Sequence, residues 1–170
     1  MRLVAGIESL IEACGLLARL CVLAMVLLVA ANVWLRYFLG ISPVALQELE
    51  WHLISPIALL GMAYTLKHRA DVRVDFLYAG MQPRSRALVD LASALLTLAI
   101  AALIAYLSWS YVLQSHRMGE GSPDPGGLPH RFLLKAFLPL GFALLALQGL
   151  ADTLRAWLAL RAAGNGSTAP

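Results

Sequence analysis

The side chains able to do chemistry are few in this sequence, and their spacing does not suit it. Glu48 and Glu50 come nearest to a carboxylate pair, but residues two apart on a helix point to different faces, so shared acid–base work is not implied. His52, His116 and His130 are the candidates for ligating a haem iron from facing helices. His116 and His130, however, fall at or beyond the expected helix ends. Cys14 and Cys21 lie seven residues apart in one helical stretch, about 10 Å along its axis and beyond disulfide reach. The glycines between Gly119 and Gly127 have no strand before them and no Gly-Lys-Ser/Thr after them, so they make no phosphate cradle. Thirteen Lys+Arg against ten Asp+Glu give a net charge of +3 with no basic run, which sets nucleic acid aside as a partner. No catalytic residue, metal ligand or bound cofactor is expected, and the chain does not read as an enzyme.

The elements that must carry these residues follow from composition. The chain has 170 residues, 60% apolar and only 14% charged, with strongly positive mean hydropathy, outside the range of soluble domains. A span needs roughly 20 apolar residues, so the length admits about four helices and no separate soluble domain. A charge at the bilayer centre costs about 2.5–3.5 kcal/mol, so the gaps between charges locate the spans. Those gaps are 20–35, 51–66, 91–115 and 136–151. With snorkelling basic stems at their ends they predict an all-α integral membrane protein of four transmembrane helices near 12–38, 43–67, 86–116 and 132–158. Residues 1–163 would form a single membrane domain, followed by a disordered tail over 164–170. Glu8, Glu12 and Arg19 inside the first stretch argue against a cleaved leader and for a retained signal-anchor helix.

Orientation follows from basic residues. Nine of the thirteen, from Arg2 and Arg19 through the 67–86 connection to Arg155 and Arg161, lie on the side of both termini. Arg36, Arg117, Arg131 and Lys135 lie on the other side. The positive-inside rule then places both termini in the cytoplasm. Nine of the fourteen aromatic residues, Trp34, Tyr37, Phe38 and Trp51 among them, gather at the outer helix ends as an interfacial belt, part of which can pack against another subunit.

In the connections, Ser42-Pro43 predicts an N-cap followed by proline at the first helical position. Glu48 and Glu50 then sit near the positive helix end, as partners for Arg36 or for a neighbouring subunit. The 67–78 segment mixes both charge signs with apolar residues and predicts a stretch lying along the inner membrane surface, with Asp71 and Asp75 needing a basic partner such as Arg73. The 119–131 connection has the glycine and proline content of an irregular loop, and Pro139 followed by Gly141 predicts a kink or early break in the fourth helix. There is no internal repeat and no ionisable group in the middle turns of any expected span, so no ion pathway runs through this chain alone.

Three motifs tie these features together: Leu46-Gln47-Glu48-Leu49-Glu50-Trp51-His52-Leu53, then Val72-Arg73-Val74-Asp75, then Gly126-Gly127-Leu128-Pro129-His130-Arg131. In that order on four helices the chain resembles the small membrane subunit, DctQ-type, of tripartite ATP-independent periplasmic (TRAP) transporters, over about residues 12–160. Asn32, Arg36, Gly61 and the Lys135–Phe142 stretch match as well, whereas Asp71 stands where the family is expected to carry histidine. The resemblance implies a sodium-driven secondary transporter of the bacterial inner membrane. In it a periplasmic binding protein delivers an organic acid or related solute to a large permease subunit. The small subunit braces the scaffold of that large subunit and helps dock the binding protein. On this reading Arg36, Glu48, Glu50, Trp51, His52, Arg73 and Asp75 are candidates for the subunit interface. Glu120, Asp124, Leu128, His130 and Arg131 are candidates for the periplasmic docking loop. Membrane lipids are the remaining partner. Two other readings remain at this point: a self-sufficient four-helix exporter, with Glu48 as its acid, and a haem- or quinol-binding anchor built on His52 and His116.

Overall fold

A computed structural model describes residues 2–70 and 80–165. The described residues are helical with no strand. Helix α1, Arg2–Trp34, continues into a wider π turn over Leu35–Leu39. That turn ends at Gly40, whose φ of 67° is left-handed and whose N–H closes on the Leu35 carbonyl, a conformation glycine adopts without steric cost. Helix α2 is Val44–Lys67, α3 is Pro83–Arg117 and α4 is Arg131–Asn165.

Several boundaries differ from expectation for identifiable reasons. Helix α1 starts ten residues before the expected position 12, because Val4, Ile7, Ile11 and Ala18 form a buried stripe at helical spacing that charge gaps cannot reveal. Pro43, not Ser42, caps α2, and no side chain caps its amides; the Ser42 hydroxyl instead accepts from Gln47 Nε2 at 2.6 Å. Helix α4 runs unbroken through Pro139. Proline removes one ladder hydrogen bond there, and packing of α4 against its neighbours holds the rest of the helix. It also continues to Asn165, past the start of the expected tail; the remainder of that tail, residues 166–170, lies outside the described residues.

Three of the helices, α1 with its π turn, α3 and α4, are long and apolar enough to cross a membrane. The span expected near 43–67, α2, is not: Glu48, Glu50 and His52 occupy its first turns and Lys67 its last, leaving a short apolar stretch between. At about 1.5 Å per residue, the 35 residues of α3 and of α4 reach about 50 Å, well over the ~30 Å hydrocarbon core.

The helices pack as two antiparallel hairpins, α1–α2 and α3–α4, joined where α2 meets α4. The result is a row in the order α1, α2, α4, α3, with the first turns of α1 reaching across to α4. Small residues set the contacts. Ala87, Ala94, Ala101, Ser108 and Ser115 are buried at strict seven-residue spacing along α3, the repeat that keeps one seam against a partner helix. A Cβ at Gly149 would lie 3.0 Å from the Leu98 amide nitrogen. Between α2 and α4, a Cβ at Gly141 would lie 2.7 Å from the Leu59 carbonyl oxygen. The outward surfaces stay apolar, with Leu23, Val26 and Leu27 on α1 and Leu96, Leu103 and Leu107 on α3 all more than half exposed.

Candidate functional site

Two polar clusters lie at opposite ends of the helix row. At the end holding the α1–α2 turn and the α3–α4 loop, the first turns of α2 turn Glu48 inward and Glu50 elsewhere, as two-residue spacing requires. Glu48 is 2% exposed. Its carboxylate accepts the Leu128 backbone N–H at 2.6 Å and the Ser122 hydroxyl, two donors from a loop some eighty residues away. The loop is turned to fit. Ser122 N–H donates to the Leu128 carbonyl at 3.1 Å, Gly127 N–H to the Asp124 carbonyl at 3.0 Å, and Asp124 N–H to the Ser122 hydroxyl at 3.1 Å. A Cβ at Gly127 would crowd the Ser122 side chain and lie 2.8 Å from Glu48 Oε2, so glycine leaves both groups their room. Gly126, at φ 81°, supplies the left-handed turn before it.

Glu120 holds the other leg of the same loop. The Ser115 hydroxyl, on a residue 1% exposed, donates to Glu120 at 2.6 Å, and Lys135 of α4 forms an ion pair with the same oxygen. The Lys135 ammonium also lies 4.2 Å from the centre of the Tyr111 ring, a cation–π contact. The hydrogen bond from Lys135, then that from Ser115, hold the Glu120 carboxyl below the usual carboxylate range against the opposing effect of desolvation, with the charges of Lys135 and Arg131 adding to them. Of the loop candidates named from sequence, Glu120 and Leu128 thus face inward, while Asp124 and His130 are exposed and Arg131 is half-buried.

The histidines are engaged locally. His52 Nδ1 lies 2.7 Å from the Glu48 carbonyl oxygen, a geometry in which the ring nitrogen donates. His116 and His130 both stand edge-on to Phe132, at 4.7 and 5.9 Å between ring centres. Among the described residues no group of His, Cys, Asp and Glu has the geometry to hold a metal ion.

Beside this cluster, between the end of α1 and the start of α2, Asn32, Arg36, Gln47, Glu50 and Trp51 line a cleft of about 300 Å³. Sequence spacing paired Arg36 with either glutamate. In the fold only Glu50 shares its cleft, and the Glu50 carboxylate accepts from Asn32 Nδ2 at 2.7 Å. Arg36, Glu50 and Trp51 are therefore grouped, Glu48 meets the loop instead, His52 bonds only within its own helix, and Arg73 and Asp75 lie outside the described residues, as does most of the 67–78 segment.

The second cluster, at the opposite end, joins α1, α2 and α4. Lys67 of α2 donates to Glu12 of α1 at 2.6 Å and to the Glu8 carbonyl at 3.1 Å, while His68 lies 2.8 Å from Glu12. Glu8 forms an ion pair with Arg155 of α4, which also meets Asp152 at 3.3 Å. Fully buried Gln148 donates to Asp152 at 3.1 Å. The available signal was the i,i+4 pair of acids on α1 and the two basic residues expected at the same membrane face.

A row of helices, three of them long and apolar enough to cross a membrane and with charged clusters toward its two ends, defines a membrane protein. Residues 25–159 match the family of tripartite ATP-independent periplasmic transporters, DctQ component, and the chain belongs to that family. It is 29% identical over 146 residues to the ectoine TRAP transporter small permease protein TeaB of Halomonas elongata, covering 86% of this chain and 72% of that protein. The chain is thus a small permease subunit of a TRAP transporter, a family of transporter components and not of enzymes.

Proposed function

We propose that this subunit braces the scaffold of a large permease subunit in a bacterial inner membrane and helps dock a periplasmic solute-binding protein during sodium-driven uptake of an organic acid or related solute. Both termini face the cytoplasm, and α2 serves as the fourth span, sheltered between α1 and α4 so that its polar ends meet the two interfaces. The observation that carries this reading is the open row. Helices α1 and α3 each rest mainly on one neighbour and leave broad apolar surfaces, while among the described residues no Asp, Glu, Lys or Arg stands in 20–35 of α1 and its π turn, 91–115 of α3 or 136–151 of α4. Such a row supports a partner that has a transport pathway of its own. Arg36, Glu50 and Trp51 lie on the flank available to the large subunit, and the 118–130 loop faces the periplasm toward the binding protein.

A self-sufficient exporter would require Glu48 as its membrane acid, but that carboxylate is held by Ser122 and Leu128. The test is reconstitution in sealed vesicles with an imposed sodium gradient. Uptake is expected only with this subunit, the large permease and the binding protein together. Solute uptake by this chain alone would overturn the reading.

A further inference from the structure

Glu48 is too deeply buried to touch a partner subunit, yet its carboxylate collects both donors that the far side of the 118–130 loop offers it. We infer that Glu48 is the positioning residue that presets this loop for docking; the inference rests on the docking role proposed above. The geometry argues for a rigid anchor. A carboxylate accepting a backbone N–H and a hydroxyl makes charge-assisted hydrogen bonds, roughly twice as strong as neutral ones. Both bonds end on residues, Ser122 and Leu128, that are themselves joined by a backbone hydrogen bond across the base of the turn. The segment between them, including exposed Pro123, Asp124 and Pro125, is thereby closed into one compact shape. Glu120, gripped by Ser115 and Lys135, fixes the helix-proximal leg independently. A loop rich in glycine would otherwise lose a large conformational entropy on binding, and preorganisation removes that cost. Gly127, whose missing side chain leaves room for the carboxylate, belongs to the same anchor.

The test uses the complex of this subunit with its large permease in nanodiscs and the soluble binding protein of the same transporter. Three quantities are measured: yield of assembled complex, hydrogen exchange of the loop amides, and affinity for the binding protein. Glu48→Ala is expected to assemble, to exchange amides 121–128 about tenfold faster and to bind about tenfold more weakly, in line with losing hydrogen bonds to a charged acceptor. Glu48→Gln can still accept from Leu128 N–H and donate to the Ser122 hydroxyl, so it is expected to stay within about threefold of wild type in both. Unchanged loop exchange in Glu48→Ala overturns the inference, and if affinity falls all the same, the docking role survives without it. Faster exchange with unchanged affinity overturns both. Should Glu48→Ala fail to assemble, Ser122→Ala keeps the carboxylate and removes one of its donors together with the acceptor of the Asp124 N–H, so the amide read is that of Leu128, which bonds Glu48 directly. Its exchange is expected to speed about threefold, and no change there likewise overturns the anchor.

Discussion

Replacing Gly141 with alanine adds a single methyl group where α4 crosses α2, and the fold gives that methyl nowhere to go. Its Cβ would lie 2.6 Å from Leu59 Cβ, 2.7 Å from the Leu59 carbonyl oxygen and 3.0 Å from the carbonyl carbon. Ordinary contact begins near 3.4 Å, so the helices must part by roughly 3.4 − 2.7 = 0.7 Å at this point. Two of the three obstructing atoms are backbone, so no rotamer change relieves the clash. Overpacking of this kind costs about 1–3 kcal/mol, against which the better helix propensity of alanine returns up to about 1 kcal/mol. With that return subtracted in full the net destabilisation is up to about 2 kcal/mol, a factor of up to roughly 30 in the folded-to-unfolded ratio. Reversible unfolding in mixed micelles of increasing SDS fraction, followed by tryptophan fluorescence, measures it. Gly149→Ala, whose Cβ would meet Leu98 at 3.0–3.3 Å, should cost less, and Gly61→Ala, with open space around it, should be neutral or stabilising. If Gly141→Ala is as stable as Gly61→Ala, the close crossing of α2 and α4 is not where the two hairpins are held together.

The remaining predictions concern the two polar ends and the cleft. Glu120 titrates below its unfolded value, so its contribution to loop order is complete at neutral pH and is lost as pH falls through its depressed folded value. A fluorophore on exposed Asp124→Cys should stay immobile from pH 7 to 5 and loosen only in stronger acid, while Glu120→Gln should loosen it at every pH. Lys67→Met should free the first turns of α1, seen as faster proteolysis before residue 12 with the remaining helices intact; equal protection in mutant and wild type would contradict the clamp. Arg36→Ala with Trp51→Ala should lower co-purification of the large permease several-fold while leaving the thermal stability of the isolated subunit nearly unchanged. Undiminished co-purification would place the large-subunit contact elsewhere.

Charge gaps marked the three long apolar helices because a charge in hydrocarbon is costly enough to dominate placement, whereas the gap over α2 is not apolar enough to stand with them. The same rule concealed the first turns of α1, where Glu8 and Glu12 interrupt the apolar run but point to Lys67 and Arg155, while Val4, Ile7 and Ile11 bury the opposite face. Two-residue spacing was enough to separate Glu48 from Glu50, but not to say which of them turned to Arg36 or to the loop. That depends on how α4 brings Leu128 back to α2, a contact across eighty positions with no local signature. The buried seam of α3 was in principle readable, since Ala87, Ala94, Ala101, Ser108 and Ser115 recur every seven residues. In a chain so rich in alanine and leucine, small residues at a regular interval stand out only once the partner helix is known.

Beyond the small core that α1, α2 and α4 share, this row of helices has little inside. In a closed bundle most of what distinguishes folded from unfolded is hidden in the core, but here much of each helix is surface, and what covers it is either lipid or another protein. An unassembled copy that keeps this fold would differ from an assembled one mainly in its wrapping. Membrane quality control that samples exposed helix surface can tell them apart without any unfolding step, so the cellular amount of this subunit should follow the amount of partner available to cover it.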